Sequence, residues 1–257
     1  MQNKHKEHLQ RQIDLSKNLV PAYTKRFAVP SAQFYSKMND EQLINLFQNH
    51  NFDQVLDLGC GSGFTINSLS VISKEVYGID LSIDMLHMVE NNNETLKGLL
   101  RGDAENLPFK ENSFSHIFIQ GMLHHLENYK NSLSEAYRIL SPGGEILVIE
   151  PSNDVLLIRV ARRIMYKFSE EFDEKDEGYK QDELVEAFRN AGFEVAIVKR
   201  AGYLGYLFAQ FPDKFSFLSN LPFSIGITRI LIFLDRIFAI IPLLKSISFQ
   251  VVILGRK

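Results

Sequence analysis

Val55-Leu56-Asp57-Leu58-Gly59-Cys60-Gly61-Ser62-Gly63-Phe64 runs from an apolar strand into a glycine-spaced loop, and a helix-like segment follows. Glycine has no Cβ and tolerates positive φ, so such a loop lets backbone N–H groups come close to a ligand. The acid Asp57 at the strand's end is out of keeping with phosphate, because a carboxylate repels a pyrophosphate and attracts a cation. The dinucleotide pattern G-x-G-x-x-G needs glycine where this chain has Phe64. The P-loop pattern fails because no lysine follows the glycines. A plain glycine turn in an α/β protein and a loop that takes a cationic ligand both stay open here.

Outward from the loop, short apolar runs near 54–58, 75–80, 97–101, 114–120, 144–150, 193–200 and 248–255 read as strands. Helical segments fall near 4–20, 39–50, 63–72, 82–92, 129–140, 154–169 and 180–191. Asn39-Asp40-Glu41-Gln42 supplies cap-type residues for the second helix, and Ser141-Pro142-Gly143-Gly144 reads as a helix stop and turn. Alternation of this kind predicts an α/β fold, a mostly parallel sheet with helices on both faces.

The 257 residues are 45% hydrophobic, which suits one α/β domain with additions. The net charge of −3 disfavours nucleic acid as a partner, since phosphate neutralisation supplies most of that binding. Cys60 is the one cysteine and has no intrachain partner, and no Cys/His spacing suits zinc. His5 and His8 sit in a polar stretch and are expected to be solvated, and no metal is expected. The first residues are too polar for a signal peptide, so the cytoplasm is the expected compartment.

The D-x-G-C-G-S-G loop after an apolar strand resembles motif I of the class I S-adenosylmethionine (SAM) dependent methyltransferases. The run Gly102-Asp103-Ala104-Glu105-Asn106-Leu107-Pro108-Phe109 is similar to ubiquinone and menaquinone methyltransferases and their type 11 relatives. The resemblance covers roughly 51–200 plus the final strand. It implies a Rossmann-like seven-stranded sheet whose last strand is antiparallel and lies between the fifth and sixth. It implies SAM as cofactor and S-adenosylhomocysteine as product. In that family Asp57, Gly59, Cys60, Gly61 and Gly63 wrap the amino-acid end of SAM, and the acid lies near its ammonium. Asp80, ending the second strand, takes the ribose hydroxyls, although a helix N-cap is its simpler role. Leu81 and Met85 flank the adenine, Asp103 and Ala104 meet its amino edge, and Gln120 and Gly121 border the methionine portion. The chain lacks the Asn/Asp-Pro-Pro-Tyr motif of many amino-directed enzymes, which disfavours DNA and protein acceptors.

His124 and His125 stand near the implied methyl site. Either could be a general base, because histidine titrates near neutral pH, and His125 ranks slightly ahead. Packing at a helix start is the plainer role. Glu150 is assigned no catalysis.

Residues 1–50 are expected to form a helical lid, with Tyr23 and Tyr35 facing the cofactor. The core is 51–200 and 248–257, and 203–247 is an apolar helical insertion on the substrate side. Of the 24 residues in 221–244, 16 are Ala, Ile, Leu or Phe. Thr228, Arg229, Asp235 and Arg236 form a narrow polar stripe on a helix. Charges interrupt the apolar run too often for a span of about 20 residues. Core packing, a partner or oligomer interface, a peripheral contact with the inner face of the membrane, and a pocket wall all remain open for this segment. The basic, apolar stretch 154–168, with Arg159, Arg162 and Arg163, also suits either lipid headgroups or a solvated helix face. The expectation is a SAM-dependent methyltransferase acting on a small or lipid-like molecule. A non-catalytic SAM-binding scaffold and an RNA or protein methyltransferase are the alternatives.

Overall fold

The computed structural model describes residues 2–89, 94–167, 177–210 and 221–257. Its strands are β1 (Gln54–Leu58), β2 (Glu75–Asp80), β3 (Leu96–Arg101), β4 (Phe114–Gln120), β5 (Leu140–Pro151), β6 (Glu194–Ala201) and β7 (Gln250–Arg256). They form one sheet in the order β3-β2-β1-β4-β5-β7-β6. β1 to β5 pair in parallel, and β7 runs antiparallel between β5 and β6, as expected. The chain reverses its direction across the sheet between β1 and β4, so a crevice opens outside their carboxyl ends.

Side chains alternate across the central strands and divide the core in two. Ile117 and Ile119 join Leu56, Ile146 and Leu133 on one face, while Phe118 joins Val55, Leu147 and Ile66 on the other. Helices α5 (Tyr129–Ile139) and α7 (Gln181–Ala191) cover the first face, and α3 (Phe64–Ile72) covers the second. Buried on both sides, these strands read as continuous apolar runs.

Several expected boundaries move. Helix α1 covers Gln2–Phe27, and α2 covers Pro30–Ile44 rather than 39–50. Proline fixes φ and lacks an N–H, so Pro30 suits the first helical turn, and Asn39–Gln42 fall in the last turns instead of capping. Ser141-Pro142-Gly143-Gly144 stops α5 but lies within β5. Leu140 pairs with Phe114 and Glu145 with His116, so these four residues bulge opposite Ser115. Gly143 takes φ +74°, and the backbone of Lys257 pairs with Gly143 and Gly144. Helix α4 (Ile83–Leu86) is shorter than expected, and 90–93 lie outside the described residues. Helix α6 (Leu156–Lys167) is present, while the expected extension to 168–169 lies outside them. Arg162 is not on a solvated face: it donates to Asn153 Oδ1 and to the carbonyls of Ser152 and Phe249.

The insertion comprises α8 (Leu204–Ala209), α9 (Ser224–Ile240) and α10 (Pro242–Lys245), with 211–220 outside the described residues. Helix α9 packs on α8 and α2. Its polar stripe divides: Thr228 and Asp235 turn inward, whereas Arg229 and Arg236 stay exposed. The two carboxylate oxygens of Asp235 accept the Gly205 N–H at 3.0 and 3.2 Å. Tyr35 is buried against Gly205 rather than facing the cofactor crevice. Among the described residues no helix is long and apolar enough to cross a membrane.

Candidate active site

The crevice between β1 and β4 begins at the glycine loop. Gly59, Gly61 and Gly63 have φ of +79°, +50° and +78°. Gly59 also has no room for a side chain, because a Cβ would lie 2.3 Å from Met122 Cγ. The loop's amides are directed differently from the sequence expectation. Gly59 and Cys60 both donate to Ile79 O (2.8 and 3.1 Å), Gly61 to Asp80 Oδ2 (2.9 Å) and Gly63 to Cys60 O (2.9 Å). These four donors are engaged inside the protein, so the loop is no nest for an anion.

Gly59 and Gly61 line the cavity, whereas Asp57, Cys60 and Gly63 are absent from its wall. Cys60 points into the core, and burial, then the charges of Asp57 and Asp80, push its thiol up. Asp57 is 3% exposed, and its Oδ2 makes no hydrogen bond. Burial first, then the charges of Asp40 and Asp80, hold its carboxyl well above the usual range. Asp40, from α2, is pushed up to about 8 by burial and then by Glu41. Burial also raises Asp80, against the opposing effect of the N–H groups that it accepts. Buried acids with too few donors call for a proton or a bound cation.

Each following strand end adds to the cavity. Asp80 accepts Ser82 N–H on Oδ1 at 2.8 Å and Gly61 N–H on Oδ2. The N-cap role falls to Ser82, whose Oγ accepts Met85 N–H, while Asp80, Leu81 and Met85 line the cavity. Asp103 and Ala104 line it after β3, and Asp103 Oδ1 accepts Glu105 N–H at 2.9 Å. Gln120 and Gly121 line it after β4. Gln120 Oε1 is buried without a hydrogen bond, and Gly121 takes φ +65°.

Helix α1 roofs the cavity through Leu9, Leu15, Leu19 and Tyr23. It is tied down by Ser16 and by His5 and His8, the two histidines expected to be solvated. His5 Nε2 lies 2.8 Å from Asp103 Oδ2, and its Nδ1 lies 3.3 Å from Glu127 Oε2. The hydrogen bond to Asp103 raises the His5 pKa. His8 Nε2 donates to His125 O at 2.8 Å, and Ser16 Oγ to Ser82 Oγ at 2.8 Å.

Leu123-His124-His125 forms a single 3₁₀ turn rather than a helix start. His125 lines the cavity, and its ring lies 4.0 Å from that of His124. Glu150, at the carboxyl end of β5, is fully buried. Its Oε1 accepts Met122 and Leu123 N–H at 2.9 and 2.7 Å, and its Oε2 lies 2.7 Å from His124 Nδ1. The sequence analysis assigned Glu150 no catalysis, and the structure places it against His124. The available signal was its place, an acid ending the strand beside the one that delivers the histidines.

A model described as a methyltransferase domain matches residues 56–148. A demethylmenaquinone methyltransferase of Geobacillus sp. (strain WCH70) is 32% identical over 164 residues, 54% of this chain and 70% of the relative. One from Oceanobacillus iheyensis is 29% identical over 203 residues, 64% of this chain and 85% of the relative. A SAM-dependent methyltransferase structure from Thermotoga maritima superposes with a TM-score of 0.64 at 21% identity, covering 95% of this chain and 99% of that one. The fold, the crevice between β1 and β4 and these relatives agree: the chain belongs to the class I S-adenosylmethionine-dependent methyltransferases.

Proposed function

We propose that the protein methylates a small lipid-like acceptor, and that the reduced form of a quinone of the kind for which its relatives are named is the first to try. The observation that carries this reading is the make-up of one cavity. Its floor has glycines beside the buried Asp57, which has an oxygen without a donor, its roof is apolar, and the His124–Glu150 pair stands behind His125 of its wall.

The residues fit SAM. Asp57 Oδ2 and Gln120 Oε1 are buried acceptors without hydrogen bonds, which suits an ammonium. Gly61 has open space where a Cβ would stand. Asp80 would accept from the ribose hydroxyls, and Leu81 and Met85 would flank the adenine. Asp103 and Ala104 would meet its amino edge, and Cys60 and Gly63 would shape the loop from behind. When bound, SAM supplies a methyl group already activated by its sulfonium, and S-adenosylhomocysteine is the product.

What this chain adds is alignment, exclusion of water and removal of a proton. In the tautomer that donates Nδ1–H to Glu150, Nε2 is the basic nitrogen of His124, and we take His124 as the base because its ring stands directly behind Gly121 and His125 of the cavity wall. That reverses the order in which the sequence ranks His124 and His125. His125 forms the cavity wall, and α1, tied down through His5, His8 and Ser16, serves as the lid. His124 would take up the proton that the acceptor gives up on methylation.

The test is incubation with methyl-labelled SAM and reduced quinols bearing short and long apolar tails. The expected result is label in the organic-extractable quinol, faster with the longer tail. Label appearing in RNA or protein, with none in any quinol, would overturn the proposal.

A further inference from the structure

Helix α9 is inside out. On a helical projection Ile230, Phe233, Ile237 and Ile240 share one arc, whereas Thr228 and Asp235 lie on the opposite side. In a water-soluble helix the polar side faces solvent. Here Thr228 is buried and Asp235 is turned inward, while Ile230 is 61%, Phe233 60% and Ile240 77% exposed. The exposed surface continues through Leu243 in α10 and begins at Phe223, which is 86% exposed and takes φ +71°. A bulky residue in that conformation is strained, and the ring lies in solvent rather than in the core. Large exposed apolar side chains gathered on one surface mark an interaction site.

Charge says what covers it. In 221–247 the exposed charged residues are Arg229, Arg236 and Lys245, and the sole acid, Asp235, is turned inward. Arg229 and Arg236 lie at one border of the apolar arc, with the Arg229 guanidinium 5.3 Å from the Phe34 ring centre. The whole chain is net negative, at −3, so a segment whose exposed charges are all basic is a local feature. Apolar side chains edged by cations fit the boundary between acyl chains and anionic headgroups. We propose that α9 and α10 dock the protein on an anionic bilayer surface, lying in it rather than crossing it. This docking does not depend on which acceptor is methylated.

The chain has no tryptophan, so Phe233→Trp gives an isolated probe. With vesicles of phosphatidylcholine and phosphatidylglycerol, its fluorescence should shift to the blue and be quenched by brominated acyl chains. The native chain should co-sediment with these vesicles, and binding should fall at higher salt and with phosphatidylcholine alone. Ile230→Ser with Phe233→Ser should weaken binding by about tenfold or more, with SAM affinity unchanged. An intact SAM affinity with no vesicle binding would overturn the docking proposal and leave the enzyme reading standing. So would a native dimer that this double variant converts to a monomer, because the surface would then belong to a second copy.

Discussion

The glycine loop and α9 each bury an aspartate, and they treat it in opposite ways. Asp235 has both oxygens on the Gly205 N–H, and its carboxylate fastens α9 to the start of α8. Asp57 is more deeply buried, yet its Oδ2 has no hydrogen bond and acids stand near it. A buried carboxylate whose oxygens are met within the fold is an anchor, whereas one left short of donors has a place for something else. The outer surfaces are reversed too. The loop's surroundings enclose a polar demand under an apolar roof, whereas α9 hides its polar side and presents hydrocarbon.

Glu150 lies between these extremes and gives the largest expected effect. Two of its bonds are to backbone N–H groups, as in an anchor, but the third is to a titratable ring. If that third bond serves the reaction, Glu150→Gln and His124→Ala should each lower kcat by about 10²–10⁴-fold. SAM affinity should stay close to native. His125→Ala should cost much less. The kcat-versus-pH profile of Glu150→Gln should change shape, which a purely structural loss would not produce. Normal turnover in His124→Ala would move Glu150 to the anchors.

Next in size is Asp80, whose two oxygens each accept one loop amide but which also faces the cavity. Asp80→Ala should weaken SAM binding by more than about tenfold, or roughly 1.4 kcal/mol. Asp235→Ala, the anchor control, should leave that affinity unaltered. Calorimetric titration of both variants decides the matter. Equal losses would erase the distinction between the two buried acids.

The same contrast explains what could be read in advance. The strands, their parallel order and the antiparallel β7 follow from apolar runs and a family pattern, and the glycines mark places where the backbone needs positive φ. Asp80 and Asp103 were legible because strand ends in this fold share one edge. Glu150 ends a strand as well, but only its distance to His124 distinguishes it from core. The contacts of His5 with Asp103 and of His8 with His125 join residues about a hundred positions apart, beyond any local pattern. For α9 the periodicity put Thr228, Arg229, Asp235 and Arg236 on one stripe, which the structure divides into an inward pair and an exposed pair. It could not say which pair faces inward, because that is set by where the Gly205 amide stands.

Asp40 gives the smallest effect and tests whether the acids near the loop hold protons in the absence of ligand. It keeps its proton in the folded state up to about pH 8, against about 4 in the unfolded chain. Between these values the unfolded state binds fewer protons, so stability should fall as pH rises. Asp57, also raised, acts in the same direction. The raised His5 contributes stability below its unfolded value of about 6.5 that is lost as pH climbs through its folded value, again the same sign. Asp40→Asn removes one of these three and retains the shape of the side chain. It should raise Tm at pH 8 by about 2–4 °C, on the order of 1 kcal/mol, and change it little at pH 4. Melting curves at intervals from pH 4 to 8 measure the slope directly. An unchanged slope in the variant would mean that Asp40 is ionised and paired, and the loop's neighbourhood would then resemble that of Asp235 more than its geometry implies.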